Sequence, residues 1–378
     1  YGAEIYLKRE DLSPVRSYKI RGAFNAMSKA LKAGSSAKFV CASAGNHAQG
    51  FAFACQHFGV KGRIYMPVTT PQQKIIKTAS FGGKAIKIIM QGDYFDETLQ
   101  AALKYADETG ASMLPPYDHP DVIEGQATVG VEILNQLGQA PDMIITPVGG
   151  GGLSSGLVKY FENHTIDFKF CEPLGGRSLY EALLANKLVT LNHVDNFVDG
   201  AAVARIGDNN FAILKHQKVN DVLGIPEGRI CTTIIDMLNI EGIVLEPAGA
   251  LAIDALKDLK DQIRGKKVVC IASGGNFDFE RLPDIKERAL RFEGLKKYFI
   301  LRMPQRPGAL KDFLNLLGPN DDIARFEYLK KSARNFGSVL LGIESGSAEG
   351  FKDLCKRMTD NGFTFEDITN DELLAQFF

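Results

Sequence analysis

Short apolar runs rich in valine and isoleucine alternate with helical patterns from Lys38 to about residue 290. Strands that alternate with helices predict crossover units and a mostly parallel sheet. The runs are continuously apolar, which is typical of strands that helices cover on both faces. We therefore predict an α/β domain over residues 1–290, with strands at KFVCAS, GRIYMP, KAIKIIM, DMIITPV, FKFCE, GIVLE and KKVVCIAS.

The pattern changes after the charged helix PDIKERALRFEG. The segments that follow predict the order βαββαβ, a ferredoxin-like split βαβ unit. An RPG turn precedes its first helix and an NG turn precedes its last strand. We expect residues 291–296 to be a linker and residues 297–378 to form a separate α+β domain.

Composition narrows the classes of partner. The 378 residues include 44 Lys+Arg and 45 Asp+Glu, so the formal net charge is -1. A charge this small argues against nucleic acid or an anionic membrane as the main partner, and no run is long enough to span a membrane. The histidines are scattered and never stand at i, i+4 on one helix, so no zinc site is predicted.

The six cysteines are spaced as isolated residues, which predicts reduced thiols in a cytoplasmic protein. The chain opens on YGAEIYLKRED, without an initiator methionine or a signal peptide. We expect this start to be a strand followed by a loop, and a further N-terminal segment to be missing before it.

Three apolar strands end in turns that could hold a ligand. In open α/β sheets, ligands bind outside the carboxyl ends of the strands. We expect the three turns to lie on one sheet and to converge on one crevice. They are Ser43-Ala44-Gly45-Asn46, Gly149-Gly150-Gly151-Gly152 and Ser273-Gly274-Gly275-Asn276.

The run from Gly149 to Gly152 indicates a phosphate site. It precedes the predicted helix LSSGLVKYF, so successive backbone N–H groups can point at an anion. Leu153 follows where a Walker loop needs lysine. A dinucleotide-binding loop is the alternative, although Ser155 replaces its third glycine; Glu172, about twenty residues on, would then bind the ribose.

Lys19 stands just before a predicted helix, in the segment SYKIRGA. A lysine that is partly desolvated and close to another cation, here Arg21, has a lowered pKa and can form a Schiff base. The alternative is an ordinary solvated lysine at a helix start.

Five motifs in order now resemble a known family. SYKIRGA, SAGNHAQG, PVGGGGL, EPAGA and SGGN are similar to the fold-type II pyridoxal-phosphate enzymes, and among these to the threonine ammonia-lyases. The resemblance implies two open parallel-sheet subdomains. It also implies deamination of L-threonine to 2-oxobutanoate and ammonia, and of serine to pyruvate, at the first step of isoleucine synthesis. A serine dehydratase or racemase, a sulfhydrylase and a non-catalytic amino-acid sensor are the alternatives.

The resemblance also implies roles for individual residues. Lys19 would hold pyridoxal 5'-phosphate and later move the α-proton, and Asn46 would bind the phenolic oxygen of the cofactor. Ser273 would face the ring nitrogen; a hydroxyl there makes the ring a weaker electron sink than a carboxylate would. The substrate carboxylate would be bound by Ser43, Ala44, Gly45 and Asn46, and the phosphate by Gly149, Gly150, Gly151, Gly152 and Leu153.

Three further positions carry open or negative expectations. Tyr18 would cover the cofactor ring. Glu172 matches the first ligand of the cation site of metal-dependent racemases, but Ser178 stands where a second carboxylate would be expected, so no structural cation is predicted. Glu246 could line the cofactor pocket or simply form a turn.

The C-terminal unit resembles the single ACT-like regulatory module of the biosynthetic enzymes. The resemblance implies an allosteric effector, isoleucine or valine, with candidate contacts in 304–308 and 322–328. It also implies a homotetramer. The alternative is a module that serves only assembly.

Overall fold

The apolar runs predicted as buried strands form two separate parallel sheets in the computed structural model, which describes residues 1–34, 38–329 and 335–371. The chain divides into two compact units, Tyr1–Asp278 and Phe279–Phe378. Of the predicted regulatory domain, residues 330–334 and 372–378 lie outside the described residues.

The larger sheet of the first unit has five parallel strands in the order β1-β9-β6-β7-β8. All five residues of its central strand β6 are buried, as expected for a strand covered on both faces. The strands are β1 (Glu4–Arg9), β6 (Met143–Pro147), β7 (Asp167–Pro173), β8 (Val222–Ile225) and β9 (Lys267–Ala272).

The smaller sheet has four parallel strands in the order β4-β3-β2-β5. The prediction of two open parallel sheets is therefore confirmed. The strands are β2 (Lys38–Ala42), β3 (Lys61–Met66), β4 (Ile86–Met90) and β5 (Ser112–Met113).

Helices connect the strands of both sheets and cover them. Phe51 and Met27 pack with Phe39 and Ile64 in the core of the smaller sheet, and Phe161 and Leu157 belong to the core of the larger one. The helices of the first unit are α1 (Lys19–Lys32), α2 (Asn46–Phe58), α3 (Gln72–Gly82), α4 (Phe95–Thr109), α5 (Pro120–Leu137), α6 (Gly152–Tyr160), α7 (Ser178–Leu184), α8 (Asp208–Leu214), α9 (Glu227–Asn239) and α10 (Pro247–Asp254).

The predicted strand GIVLE is wrong, because residues 242–246 form the connection between α9 and α10. The N–H of Ile243 donates to the carbonyl of Met237 at the end of α9, and the N–H of Glu246 donates to the carbonyl of Gly274. The segment is apolar because Leu245 is fully buried, but its backbone groups bind a helix end and a turn instead of a strand.

The second unit has the predicted ferredoxin-like order. A four-stranded antiparallel sheet in the order β11-β12-β10-β13 packs with two helices around a core that includes Phe299, Phe313 and Phe351. The elements are α11 (Leu282–Phe292), β10 (Lys296–Pro304), α12 (Ala309–Leu314), β11 (Asp321–Leu329), β12 (Phe336–Ser345), α13 (Ala348–Asp360) and β13 (Thr364–Asp367).

The boundary between the units differs from the predicted domain limits. The second unit begins at Phe279, so it includes α11, which the sequence pattern assigned to the catalytic domain. Lys296 at the start of β10 explains this placement, because its Nζ lies 2.6 Å from a carboxylate oxygen of Glu287 on α11. The limits 1–290, 291–296 and 297–378 stay predictions.

Two further observations concern the helices and the cysteines. Among the described residues, none of the helices combines the length and the apolar character that crossing a membrane requires. Each of the six cysteines is a free thiol, and all but Cys355 are buried.

Helices α1 and α5 cross where both carry a glycine. A Cβ at Gly125 would lie 2.6 Å from the carbonyl oxygen of Arg21 and 2.7 Å from the Cα of Gly22. We expect Gly125→Ala to push the helices apart and to lower the free energy of unfolding by about 1–3 kcal/mol, measured by denaturant titration. Asn135→Ala, at an exposed position of the same helix, should change it by less than about 0.5 kcal/mol. Equal effects of the two substitutions would contradict this account of the crossing.

Candidate active site

The three predicted ligand-binding turns belong to two sheets. The expectation of one sheet was wrong, because β2 lies in the smaller sheet while β6 and β9 are neighbours in the larger one. The turns after β2 and β9 still meet, since Asn276 Nδ2 donates to Asn46 Oδ1 over 2.6 Å. The crevice therefore lies between the carboxyl ends of two sheets instead of along the edge of one.

Tyr117 connects the remaining turn, the glycine run 149–152, to Lys19. A Cβ at Gly150 would lie 2.3 Å from atoms of the Tyr117 ring, so only glycine allows this approach. The Nζ of Lys19 lies 5.9 Å from the centroid of the same ring. The glycine run and the predicted reactive lysine thus share one site.

Lys19 is the first residue of α1, and the residues before it tie the helix start to the end of β9. The N–H of Tyr18 donates to the carbonyl of Ser273 over 3.2 Å. Arg16 has φ 56°, in the left-handed region that non-glycine residues rarely occupy. Backbone strain of this kind persists only where the surrounding contacts hold the chain firmly.

The amine of Lys19 is enclosed even though the residue keeps some exposed surface. Its Nζ donates to the carbonyl oxygen of Pro116 at 2.8 Å. Burial lowers the pKa of Lys19 to about 8, because it disfavours the charged form, and the nearby carboxylate of Glu246 only partly opposes this effect. An appreciable fraction of the amine is therefore neutral near physiological pH.

Arg21 does not contribute to this lowering of the pKa, contrary to the reasoning from the sequence. Its guanidinium donates to both carboxylate oxygens of Glu10 and both of Glu132, over 2.7–2.8 Å. The two carboxylates neutralise the charge of Arg21. Burial, and not a neighbouring cation, makes Lys19 a weaker base.

The glycine run begins at the end of β6 and leads into α6, where the sequence predicts it. No side chain caps the N-terminus of α6, and Gly151 has φ 93°. The carbonyl of Gly150 accepts hydrogen bonds from Asn210 Nδ2 over 2.8 Å and from the N–H of Gly207. These contacts fix the loop, and the amides of the first helical turn, including that of Leu153, can bind an anion.

The turn from Ser43 to Asn46 joins β2 to α2. The N–H of Gly45 donates to Ser43 Oγ over 3.2 Å, and no heavy atom lies within 4 Å of a Cβ built at Gly45. Open space therefore lies beside Gly45, next to Ala44 in the turn, and a small carboxylate could approach the backbone there.

Glu246 lines the crevice, which decides between the two readings of its motif. It accepts a hydrogen bond from Asn46 Nδ2 over 2.7 Å, and a Cβ at Gly274 would lie 2.2 Å from its Oε1. Burial raises the pKa of Glu246 to about 7, with a smaller contribution from Asp199. Its carboxyl group is thus able to exchange a proton near neutral pH.

Ser273 and Glu172 are both buried but differ in their hydrogen bonds, since Ser273 donates one and Glu172 accepts two. Ser273 is buried at the end of β9, and its hydroxyl donates to the carbonyl of Ala248 over 3.3 Å. Glu172 accepts hydrogen bonds from the N–H groups of Leu179 and Tyr180, over 2.7 and 3.0 Å. Glu172 therefore caps α7. Its carboxylate is engaged there, which leaves no support for a ribose-binding role.

Several residues of the site had no assigned role at the level of sequence: Lys77, Pro116, Tyr117, Asn210 and Asn276. Asn276 belongs to the SGGN motif, which is the one sequence signal among them. The other four lie far along the chain from Lys19 and reach the site only through the fold. The functions assigned above to individual residues by resemblance stay predictions.

Comparison with known proteins identifies relatives for both units. A family model described as pyridoxal-phosphate dependent enzyme matches residues 1–274, and a model of the C-terminal regulatory domain of threonine dehydratase matches residues 287–378. The chain is 47% identical, over 98% of its length and 89% of the relative, to the biosynthetic L-threonine dehydratase IlvA of Bacillus subtilis. It is 44% identical to that of Halalkalibacterium halodurans, over 99% of this chain and 91% of the relative.

Solved structures agree with these matches. The processed form of threonine deaminase isoform 2 from Solanum lycopersicum superposes with a TM-score of 0.71 at 37% identity, over 76% of this chain and 84% of that one. Serine racemase from Dictyostelium discoideum superposes with a TM-score of 0.67 at 29% identity, over 74% and 89% of the two chains.

The enclosed amine predicts a measurable effect on stability in the ligand-free protein. Because the pKa of Lys19 falls from 10.5 to about 8 on folding, the folded state binds this proton less tightly than the unfolded state does. Lys19→Met should therefore raise the free energy of unfolding at pH 7 by about 1–3 kcal/mol. The gain should shrink as the pH rises from 8 to 10.5, and denaturant titrations at several pH values measure it. A variant less stable than the wild type at pH 7 would refute the desolvation argument.

Proposed function

The chain belongs to the pyridoxal-phosphate-dependent enzymes, and among them to the biosynthetic threonine dehydratases, and we propose that it deaminates L-threonine with Lys19 as the reactive amine. The products are 2-oxobutanoate and ammonia, and serine gives pyruvate. The reaction is the first step of isoleucine synthesis. The observation that carries this proposal is the enclosed Lys19 amine, set between an uncapped glycine turn and the turn of Asn46.

The residues present fit pyridoxal 5'-phosphate. The glycine run offers backbone amides and no side chain, which suits a phosphate. Lys19 Nζ is the amine that would hold the group, and Asn46 is the donor for its phenolic oxygen. When bound, the cofactor withdraws electrons from the substrate's α-carbon. The phosphate-binding residues are Gly149, Gly150, Gly151, Gly152 and Leu153.

The protein orients the substrate and moves the α-proton. The turn of Ser43, Ala44, Gly45 and Asn46 binds the carboxylate of threonine and so directs its α-hydrogen toward Lys19. The N–H of Ser43 donates to the carbonyl of Tyr65 over 3.0 Å, so the backbone amide predicted for this residue is not free and Ser43 offers its hydroxyl instead. The neutral amine of Lys19 then removes this proton, since a base with a pKa of about 8 is well matched to neutral pH. With the cofactor bound, Ser273 would offer a hydroxyl, and not a carboxylate, to the ring nitrogen, which would disfavour side reactions.

Regulation is proposed for the second unit. A cavity of about 430 Å³ lies between the end of β10, α12 and β11, and its lining includes Pro304, Gly308 and Phe326 from both segments predicted as effector contacts. Its mixed lining suits isoleucine or valine, because Phe326 is apolar while Arg306 and Lys311 could bind a carboxylate. Linkage requires an inhibitory effector to bind the less active state more tightly.

Assembly and cellular location complete the proposal. We propose a homotetramer that acts in the cytoplasm. Free cysteine thiols support a reducing compartment, and the edge strands β11 and β13 of the regulatory sheet offer a surface for pairing between copies.

Replacing the reactive amine tests the proposed activity. The wild-type enzyme should release 2-oxobutanoate from threonine and pyruvate from serine. Lys19→Ala should lower turnover at least 1,000-fold and abolish the visible cofactor band, whereas Lys32→Ala, at an exposed site on the same helix, should leave both unchanged. The measurements are a ketoacid assay and an absorption spectrum. D-serine formation without ketoacid would favour the racemase alternative, and normal turnover by Lys19→Ala would exclude Lys19 as the reactive amine.

A second pair of variants tests the regulatory cavity. Tyr328 lines it and is 39% exposed, whereas Phe336, 48% exposed in the same sheet, does not line it. We expect Tyr328→Ala to weaken isoleucine binding about tenfold and Phe336→Ala to leave it within about twofold, because only the first removes a wall of the cavity. Isothermal titration of the intact enzyme measures both. No heat of binding with wild type, for isoleucine or valine, would reject the effector site.

A further inference from the structure

Four side chains form one line of hydrogen bonds across the crevice. Lys77 Nζ donates to Asn276 Oδ1 over 2.5 Å. Asn276 Nδ2 donates to Asn46 Oδ1 over 2.6 Å, and Asn46 Nδ2 donates to Glu246 Oε1 over 2.7 Å. Each of these hydrogen bonds donates toward the next residue in the order Lys77, Asn276, Asn46 and Glu246. The line therefore has a single direction, from Lys77 to Glu246.

The groups at its two ends determine that direction. A lysine ammonium can only donate and an ionised carboxylate can only accept, whereas an asparagine amide can face either way. Asn276 is held further, because its Nδ2 also donates to the carbonyl of Val15 over 2.9 Å. With Lys77 at one end and Glu246 at the other, the Asn46 amide has one preferred orientation.

The line also joins the two sheets of the first unit. Lys77 lies on α3, which packs on the smaller sheet, whereas Asn276 follows β9 of the larger sheet. A second contact of α3 crosses the same gap, since Lys74 Nζ lies 2.6 Å from a carboxylate oxygen of Asp199. The line is therefore complete only when α3 is close to the turn after β9.

We propose that Lys77 and Asn276 are positioning residues that hold the Asn46 amide with its nitrogen as the donor. This inference rests on the proposed function, in which Asn46 binds the phenolic oxygen of the cofactor. One N–H of Asn46 is used by Glu246, which leaves the other for that oxygen. A reversed amide would present its carbonyl oxygen to the cofactor oxygen, and two acceptors repel each other.

The test compares four variants of the holoenzyme. Lys77→Met removes the first donor and Lys77→Arg keeps one. Asn276→Asp has nearly the same shape and can still accept from Lys77, but it cannot donate to Asn46. Lys74→Met removes an equal charge from α3 and breaks the other contact across the gap, so it is the matched control.

Three readouts separate positioning from a general structural role: the dissociation constant of the cofactor, the absorption maximum of the holoenzyme, and kcat and KM for threonine. We expect Lys77→Met and Asn276→Asp to weaken cofactor binding about tenfold, to shift the absorption maximum and to lower kcat, with KM changed less than twofold. Lys77→Arg should keep the dissociation constant of the cofactor, the absorption maximum and kcat close to their wild-type values. Lys74→Met should keep the wild-type spectrum.

Two results would overturn the inference. Wild-type spectra and cofactor affinity in both Lys77→Met and Asn276→Asp would show that the line does not orient Asn46. The same losses in Lys74→Met would show that α3 needs only to be held near the larger sheet. Neither result affects the proposed function, which stands if the wild type deaminates threonine. If the wild type shows no turnover, the proposed function fails. The cofactor affinities of the variants would still test whether the line orients Asn46.

Discussion

The site depends on keeping one lysine amine out of water inside a folded chain. A charged ammonium group is strongly solvated, so enclosing it favours the neutral form and destabilises the fold. Lys19 carries this disadvantage, since burial lowers its pKa to about 8. The neighbouring guanidinium of Arg21 is half-buried with two carboxylates bound to it, whereas the Lys19 amine has one carbonyl oxygen as its partner. These two cations are only two residues apart but have different partners, carboxylates for Arg21 and a carbonyl oxygen for Lys19. This difference distinguishes the reactive group from the structural one.

Close backbone approach is the second condition. The ring of Tyr117 lies against Gly150, and the carbonyl of Gly274 would lie 2.1 Å from a Cβ at Gly249. At each of these contacts a methyl group would displace the opposing element. The glycine run therefore serves two purposes, because it leaves amides accessible to an anion and allows Tyr117, which follows β5 of the smaller sheet, to approach the larger sheet near Lys19.

The sequence predicted the parts of the fold that local pattern determines. Continuous apolar runs such as β6 and β9 identify buried strands, and the order of elements after residue 290 identifies the ferredoxin-like unit. Pattern failed at GIVLE, because burial of Leu245 has the same signature in a strand and in a buried connection. It also could not assign β2 to a second sheet, since strand pairing depends on contacts between distant segments. Lys77 and Tyr117 were missed for the same reason, whereas Lys19 and the glycine run stand in motifs of adjacent residues.

Two buried glutamates show why geometry, and not the pKa value, identifies the functional group. Burial raises the pKa of both Glu172 and Glu246 to about 7. Glu172 uses both oxygens to cap α7, so protonation there would weaken two backbone hydrogen bonds and leave the crevice unaffected. Glu246 ends the line of side chains that passes through Asn46. A proton on Glu246 would turn an acceptor into a possible donor, and the preferred direction of that line would then depend on the groups that hold Asn276, which are Lys77 and the carbonyl of Val15. Of the two carboxyl groups, only Glu246 couples its protonation to the orientation of a side chain at the reactive amine.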